Sequence, residues 1–197
     1  MPSKIMLIRH AEKPHGKHEG VTDTGEPDPE SLTVKGWQRA GALVALFDPA
    51  EGALQNANLA VPTVIYASKP VTSSGDEAGK KIGSKSKRPL ETITPLHKRL
   101  NLFPDLSFVA GQEHDLAKAV LGASGIVLIC WQHEKIADIT KHIVGANPPT
   151  PPYPASWPDD RFDIVWVLSP PNAPKQPWGF VQVPQQLLAG DSDTVIT

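Results

Sequence analysis

Four short apolar runs, separated by longer helix-like stretches, constrain the fold more than any other feature of this sequence. Each run has the length of a strand and few polar side chains, which is typical of strands covered on both faces of a sheet. Strands that alternate with helices are usually joined in parallel by crossover connections. The sequence therefore predicts an α/β protein, a three-layer α/β/α sandwich with a mainly parallel central sheet. The predicted strands cover residues 5–8, 63–66, 125–130 and 162–168.

Helical periodicity fills the stretches between these runs. Residues 33–47 begin with Thr33, whose hydroxyl can cap a helix, and they repeat apolar side chains at helical spacing. The same period recurs over residues 90–100, 116–120 and 135–144. With 197 residues the chain is long enough for one α/β domain with a substantial core, so we expect a single domain over residues 1–197.

The composition argues against several classes of protein. The 19 Lys and Arg nearly balance the 21 Asp and Glu, and the formal net charge of -2 provides no global field that would recruit nucleic acid or an anionic membrane. The single cysteine, Cys130, rules out an internal disulfide. The sequence contains neither an N-terminal signal segment nor an apolar run of membrane-spanning length. We therefore expect a cytoplasmic protein that binds neither nucleic acid nor membrane, and the sequence leaves its oligomeric state open.

Three segments between the predicted elements stand apart in composition. Residues 14–31 are acidic and rich in Gly, Pro and Thr, which is typical of a solvated loop. Residues 69–88 carry six basic and two acidic side chains, and this local positive charge can attract an anionic substrate. Residues 145–160 hold six prolines and predict an extended connector whose simplest role is spacing.

Reactive side chains follow three of the predicted strands at the point where each strand ends. The first strand is followed by Arg9 and His10, and the third by His133 and Glu134. The basic segment after the second strand ends in Arg88. In an open α/β sheet, ligands bind in a crevice outside the carboxyl ends of the parallel strands. We therefore expect one crevice to gather two arginines, two histidines and a carboxylate.

This set of side chains suits phosphoryl transfer. An arginine offers a rigid fork of charged donors that matches the oxygens of a phosphoryl group. An imidazole nitrogen can attack phosphorus and divide one displacement into two steps through a covalent intermediate. A nearby carboxylic acid can protonate the leaving alcohol and then, as a carboxylate, activate the water that resolves the intermediate. Such chemistry requires no metal ion.

Several motifs, in this order along the chain, resemble those of the histidine phosphatase superfamily, whose members have the phosphoglycerate-mutase-like fold. "LIRHAEK" is similar to the Arg-His-Gly signature of that family in its Arg-His-Ala variant, and "LTVKGWQRA" resembles the start of its first helix. "VIYAS" resembles the family's Tyr-x-Ser strand, and "RPLETITPL" the segment that supplies its second phosphate-binding arginine. "VLICWQH" resembles the strand that ends in its second histidine. The resemblance spans residues 4–140.

The resemblance implies a role for each candidate residue. His10 matches the histidine that is phosphorylated, while Arg9, Arg88 and His133 match the groups that hold the phosphoryl oxygens. The proton donor is either Glu113 or Glu134, because different branches of the family keep the acid at positions corresponding to one or the other. Glu12 matches a position that orients the loop after the nucleophile. The resemblance implies neither a metal ion nor a cofactor.

The chain also departs from the family pattern. About twenty residues separate "VIYAS" from Arg88, and Pro89 follows this arginine. Two other kinds of site are disfavoured by the sequence itself. His15 and His18 follow His10 without helical spacing, which favours a solvated loop over a metal site. A cysteine phosphatase needs an arginine six residues after its cysteine, but Ile136 occupies that position relative to Cys130.

The predicted function is therefore that of a metal-independent phosphatase, which hydrolyses phosphomonoesters through a phosphohistidine on His10. Two alternatives remain open. The first is a phosphoglycerate-type phosphomutase, which shares the chemistry but must return the phosphoryl group to an organic acceptor. The second is a catalytically weak phospholigand-binding protein on the same fold, since fold alone does not decide function. The expected partner is a phosphorylated small molecule, whose identity the sequence does not determine.

Overall fold

The chain folds around a five-stranded mixed β-sheet. The computed structural model describes residues 1–73, 75–77 and 80–197. A two-stranded hairpin lies apart from the main sheet and falls within the predicted basic segment. The elements are β1 (Lys4–Arg9), α1 (Val34–Phe47), β2 (Val64–Ala67), β3 (Gly75–Glu77), β4 (Lys80–Ile82), α2 (Arg88–Leu100), α3 (Glu113–Gly122), β5 (Ile126–Trp131), α4 (His133–Val144), β6 (Ile164–Ser169) and β7 (Gly179–Pro184).

The strand order is β2-β5-β1-β6-β7. Strands β2, β5 and β1 pair in parallel, as predicted. The fourth predicted strand, β6, is antiparallel to β1, and β7 is antiparallel to β6. The cause lies in the proline-rich connector, since its residues 158 and 159 contact Arg9 at the carboxyl end of β1. The connector thus returns the chain to this edge, and β6 must run back in the opposite direction.

Two layers of helix cover the sheet, which confirms the three-layer α/β/α sandwich. Successive side chains of a strand point to opposite faces, so each buried strand contributes to two cores. In β1, Ile5 and Leu7 pack with side chains of α3 and α4, whereas Met6 and Ile8 pack with side chains of α1 and α2. Among the described residues, no helix is both long and apolar enough to span a membrane.

The basic segment, residues 69–88, is only partly covered by the structure. Strands β3 and β4 pair in antiparallel fashion within it. Residues 74, 78 and 79 lie outside the described residues, as do the side chains of Lys80 and Lys81. The expectation that this segment attracts an anionic substrate therefore stays a prediction.

Candidate active site

The candidate site lies at the carboxyl ends of β1 and β5. These strands pair in parallel with Arg9 opposite Trp131. The backbone N–H of His10 donates to the carbonyl of Trp131 at 3.0 Å, which continues the pairing beyond the end of β1. His133 is the first residue of α4, which follows β5 after one residue. The parallel register therefore brings the first and third predicted strand ends to the same edge of the sheet.

The structure fixes the tautomer of His10. Its side chain is buried, with 4% of the residue exposed, and Nδ1 lies 2.8 Å from the carbonyl oxygen of Ala11. A carbonyl oxygen can only accept a hydrogen bond, so Nδ1 carries the hydrogen and the lone pair is left on Nε2. Among the described residues, no side chain or backbone group makes a hydrogen bond to Nε2. His10 thus presents the nitrogen that a nucleophile requires.

The surroundings of His10 keep its imidazole neutral. Burial is the largest cause and, together with the charges of Arg9, Arg88 and His133, lowers the pKa of His10 to about 3. The hydrogen bond to Ala11 opposes this shift. A protonated imidazole has no lone pair on Nε2, so the low pKa keeps the nitrogen available for attack at neutral pH.

The pH dependence of stability tests this burial. The unfolded imidazole has its ordinary pKa of 6.5, against about 3 in the folded protein. Below pH 6.5 the unfolded state therefore binds more protons, and His10 lowers stability progressively as the pH falls toward the folded pKa. Between pH 7 and pH 5 we expect the wild-type protein to lose about 2 kcal/mol more unfolding free energy than His10→Gln, measured with urea. The control is the exposed His114→Gln. Equal losses in wild type and His10→Gln would contradict the expectation.

Arg9 is a buried guanidinium whose donors are only partly used. Its Nη1 donates to carbonyl oxygens of Pro158, Asp159 and Arg161 at 3.1, 2.8 and 3.1 Å. The guanidinium carbon lies 3.8 Å from the centroid of the Phe162 ring, which adds a cation–π contact. Nε and Nη2 are buried and have no hydrogen-bond partner among the described residues. Burial lowers the pKa of Arg9 to about 10, which leaves it charged at neutral pH.

The free donors of Arg9 indicate an anion site. Leaving charged N–H groups buried and unpaired costs free energy, and native structures seldom do so without a functional reason. A phosphoryl group offers several oxygens to such donors and forms short, charge-assisted hydrogen bonds. Nε and Nη2 are therefore the donors of Arg9 that an anion can reach, while Nη1 anchors the side chain to the connector.

His133 lies at the N-terminus of α4, where free backbone N–H groups favour an anion. It is buried, and its Nε2 lies 3.2 Å from Oδ1 of Asp159. Its Nδ1 lies 3.2 Å from Oε2 of Glu134, but not in hydrogen-bond geometry. Burial, and next the charge of Arg9, lower the pKa of His133, while the carboxylates of Glu134 and Asp159 oppose this shift. His133 thus lies in the same electrostatic environment as Arg9.

Arg88 lies close enough to His10 for its charge to lower the pKa of that histidine. Three of its donors are already occupied. Nε donates to the carbonyl of Ser31 at 3.2 Å, Nη1 to the hydroxyl of Ser86 at 3.1 Å, and Nη2 to the carbonyl of Pro29 at 2.6 Å. A guanidinium carries five N–H groups, so two of them make no hydrogen bond within the part of the chain that the structure describes. Arg88 therefore holds the acidic loop in place as well as contributing positive charge.

The two candidate proton donors line one cavity of about 660 Å³. Glu113 is 4% exposed, and its Oε1 accepts hydrogen bonds from the backbone N–H of Gly111 at 2.9 Å and from Nε1 of Trp131 at 3.1 Å. Among the described residues, its Oε2 makes no hydrogen bond. Glu134 is largely exposed to solvent. The structure thus places both carboxyl groups beside the end of β5, in two different environments.

Glu12, two residues after His10, is held in a buried network. Arg39 donates to its carboxylate through Nε at 3.1 Å and through Nη2 at 2.8 Å. The same guanidinium binds Asp191 through Nη1 at 2.9 Å and Nη2 at 2.7 Å. This network connects the segment after His10 to α1 and to the C-terminal residues. The expectation that Glu12 orients the loop stays a prediction.

Three residues near the site were missed by the sequence reasoning. Lys13 donates to Oδ1 of Asp159 at 2.6 Å, and Asp159 also contacts His133. Phe162 stacks on Arg9 and lies 6.4 Å from the ring of His10. Asp159 belongs to the proline-rich connector, for which the sequence predicts only a spacing role, and Phe162 is the first residue of the fourth predicted strand. No sequence motif identifies Asp159 or Phe162 as part of the site. Lys13, in contrast, is the last residue of the "LIRHAEK" motif.

His15 and His18 line a cavity of about 800 Å³ together with Lys13, Asp159 and Phe162. His15 and His18 pair through their backbones in a short turn, with N···O distances of 3.2 and 3.1 Å. In the part of the chain that the structure describes, no three potential metal ligands form a group able to hold an ion. Cys130 is buried in the core, and this burial raises the pKa of its thiol.

The fold of this chain is similar to that of the protein described as "the putative phosphohistidine phosphatase SixA from Agrobacterium tumefaciens", a member of the histidine phosphatase superfamily. The two are 14% identical, the match covers 92% of this chain and 97% of that chain, and the TM-score is 0.49. The similarity is one of fold. No family model matches the chain, and no curated protein matches it. The chemistry has to be judged from the geometry of the site itself.

Proposed function

We propose that this protein is a metal-independent phosphomonoester hydrolase that forms a phosphohistidine on His10. One observation carries the proposal: a neutral imidazole with its lone pair on Nε2 follows directly in sequence a buried arginine with two donors that find no partner among the residues the structure describes. The imidazole supplies a nucleophile, and the free donors of Arg9 supply positive charge for the phosphoryl oxygens.

In the first step, Nε2 of His10 attacks phosphorus and the bond between phosphorus and the ester oxygen breaks. The leaving alcohol takes a proton from Glu113 or Glu134 as it departs. The N–H···O bond from Nδ1 to Ala11 stabilises the positive charge that develops on the ring. Arg9, Arg88 and His133 donate to the phosphoryl oxygens while the equatorial charge increases.

In the second step, the carboxylate formed in the first step takes a proton from a water molecule. The water oxygen attacks phosphorus, the bond between phosphorus and Nε2 breaks, and the electron pair returns to the imidazole. Inorganic phosphate leaves, and the enzyme regains both its neutral histidine and its carboxylic acid. Atoms and charge balance without an external reductant, oxidant or metal ion.

The proposal is tested by trapping the intermediate. Wild-type protein is incubated with a ³²P-labelled phosphomonoester in EDTA, quenched at intervals and analysed for bound label. We expect hydrolysis in EDTA and a label that is lost in acid but stable in base, as a phosphoramidate should be. Transfer of the label to a second alcohol in preference to water would instead indicate a mutase. Binding of phosphate without turnover or label would indicate a phospholigand-binding protein.

Glu113 is proposed as the proton donor, with Glu134 as the alternative. A general acid contributes about 10²- to 10⁴-fold, and this contribution shrinks when the leaving group departs without a proton. We expect Glu113→Gln to slow hydrolysis of alkyl phosphates far more than that of nitrophenyl phosphate, measured as kcat/KM. Glutamine keeps the acceptor for Gly111 and Trp131, so the helix start should remain in place.

Glu134→Gln is the matched variant in this comparison. A leaving-group-dependent defect in Glu134→Gln alone would transfer the role to Glu134. Equal defects for both leaving groups in both variants would eliminate the two assignments together. The exposed Glu51→Gln, far along the sequence from the site, serves as a control for the loss of one charge.

A further inference from the structure

The carboxylate of Asp159 lies among the groups assigned to the phosphoryl oxygens. Its Oδ1 is 3.2 Å from Nε2 of His133 and 3.8 Å from Nη2 of Arg9, one of the two unpaired donors of that arginine. The same oxygen accepts a hydrogen bond from Nζ of Lys13 at 2.6 Å. A single carboxylate oxygen therefore faces an arginine, a histidine and a lysine, the set of partners that a phosphoryl oxygen would have.

Two anions cannot use these donors at the same time. A carboxylate and a phosphate held at one cluster of cations repel one another, because like charges a few ångströms apart raise the free energy of the pair. The 3.8 Å separation from Nη2 is too long for a hydrogen bond, so Asp159 balances the charge of Arg9 without satisfying its donor. A ligand that satisfies this donor would bind better than Asp159 does, provided that the carboxylate moves away.

The position of Asp159 allows this movement. Its backbone carbonyl accepts a hydrogen bond from Nη1 of Arg9 at 2.8 Å, which anchors the backbone. The side chain, in contrast, is 69% exposed, so one face of it already contacts solvent. Rotation of the side chain can therefore free the site without moving the connector. The cost is the loss of the contacts with His133 and Lys13.

We propose that Asp159 is an internal competitor for the phosphoryl site and sets its affinity for phosphorylated ligands. This inference rests on the proposed function, since it assumes that Arg9 and His133 receive a phosphoryl group. The ligand-competent state is the one in which the carboxylate has turned outward, and the apparent dissociation constant is the intrinsic constant divided by the fraction of molecules in that open state. A ligand must offer enough negative charge to displace the aspartate, which favours phosphate over singly charged carboxylates.

The proposal predicts that removing the charge of Asp159 strengthens phosphate binding. Inorganic phosphate is titrated into wild type, Asp159→Asn and Asp160→Asn by calorimetry, and KM and kcat for nitrophenyl phosphate are measured in parallel. Asp160 is the matched control, because it is the exposed neighbour and its charge also acts on Arg9. We expect Asp159→Asn to bind phosphate about tenfold more tightly and to have a lower KM, with Asp160→Asn within about twofold of wild type.

The outcomes separate this proposal from the proposed function. Unchanged or weaker phosphate binding in Asp159→Asn, in a protein whose wild type hydrolyses the ester, would overturn the role of Asp159 and leave the phosphatase intact. An equal gain in affinity in Asp159→Asn and Asp160→Asn would show that the loss of any nearby negative charge strengthens phosphate binding. That result would also overturn the specific role of Asp159. Absence of binding and turnover in all three proteins would overturn both proposals. Tighter phosphate binding in Asp159→Asn alone supports the role of Asp159 as an internal competitor.

Discussion

His10→Ala is expected to lower the rate of phosphomonoester hydrolysis by more than about three orders of magnitude and to abolish acid-labile labelling of the protein. The reason is chemical, because alanine cannot form the bond to phosphorus through which the two-step route proceeds. Both kcat for nitrophenyl phosphate and the amount of trapped label are measured. A good leaving group should not restore the rate, since the missing group is the nucleophile and not the acid.

The fold of this variant has to be checked independently, because the ring of His10 is buried. Circular dichroism and urea denaturation show whether His10→Ala remains folded, and His10→Gln provides a second variant that fills more of the space. The exposed His114→Ala controls for the loss of a histidine. A folded His10→Ala protein that hydrolyses the ester at the wild-type rate would refute the proposed role of His10.

The sequence predicted the parallel part of the fold well because its signals there are strong. β1 and β5 are near-continuous apolar runs, and burial on both faces of a central sheet demands such runs. Helix α1 begins where Thr33 was expected to cap it, and the hydroxyl accepts from the N–H of Gly36 at 3.1 Å. The predicted boundaries of these elements differ from those in the structure by at most one residue.

The missed and shifted elements have weaker local signals. Strand β7 alternates exposed and partly buried residues up to Gln182 and ends in Pro184, as an edge strand does, and the sequence does not predict it. The direction of β6 depends on the edge of the sheet at which the connector ends. A proline-rich composition predicts an extended segment, but it does not predict which edge that segment reaches. Helix α4 begins at His133, two residues before the predicted start, because its first turn is polar and lacks the apolar period.

The candidate site could be predicted where it lies on strand ends and missed where it depends on long-range contacts. Arg9, His10 and His133 follow directly from the order of strands and the register of β1 with β5. Asp159 reaches the site only because the backbone around it binds Arg9, a contact between residues 150 positions apart. The hydrogen bonds of Arg88 to residues 29 and 31 likewise join segments that are far apart in sequence. The sequence therefore could not show how many N–H groups of Arg88 are already used in hydrogen bonds within the protein.

Arg9→Lys is expected to lower kcat/KM by about 10²- to 10³-fold while the protein stays folded. In the proposed mechanism Arg9 performs two tasks with one planar group: Nη1 binds the carbonyls of the connector, and Nε and Nη2 bind the ligand. A lysine ammonium at the same place can contact the carbonyls or the phosphoryl group, but it lacks the fork that reaches both. Burial also lowers the pKa of an amine, so part of the positive charge would be lost.

Arg88→Lys is the matched comparison for this prediction, because it makes the same exchange at the other predicted phosphate-binding arginine. Three donors of Arg88 already bind Ser31, Ser86 and Pro29, so we expect Arg88→Lys to have a smaller effect on kcat/KM than Arg9→Lys.

Arg9→Ala would be less informative, because it leaves the carbonyls of the connector without their donor and endangers the fold. The measurements are kcat and KM at neutral pH, with urea denaturation of each variant. Wild-type kcat/KM in a folded Arg9→Lys protein, or a larger loss in Arg88→Lys, would contradict the assignment of the free donors of Arg9 to the phosphoryl group.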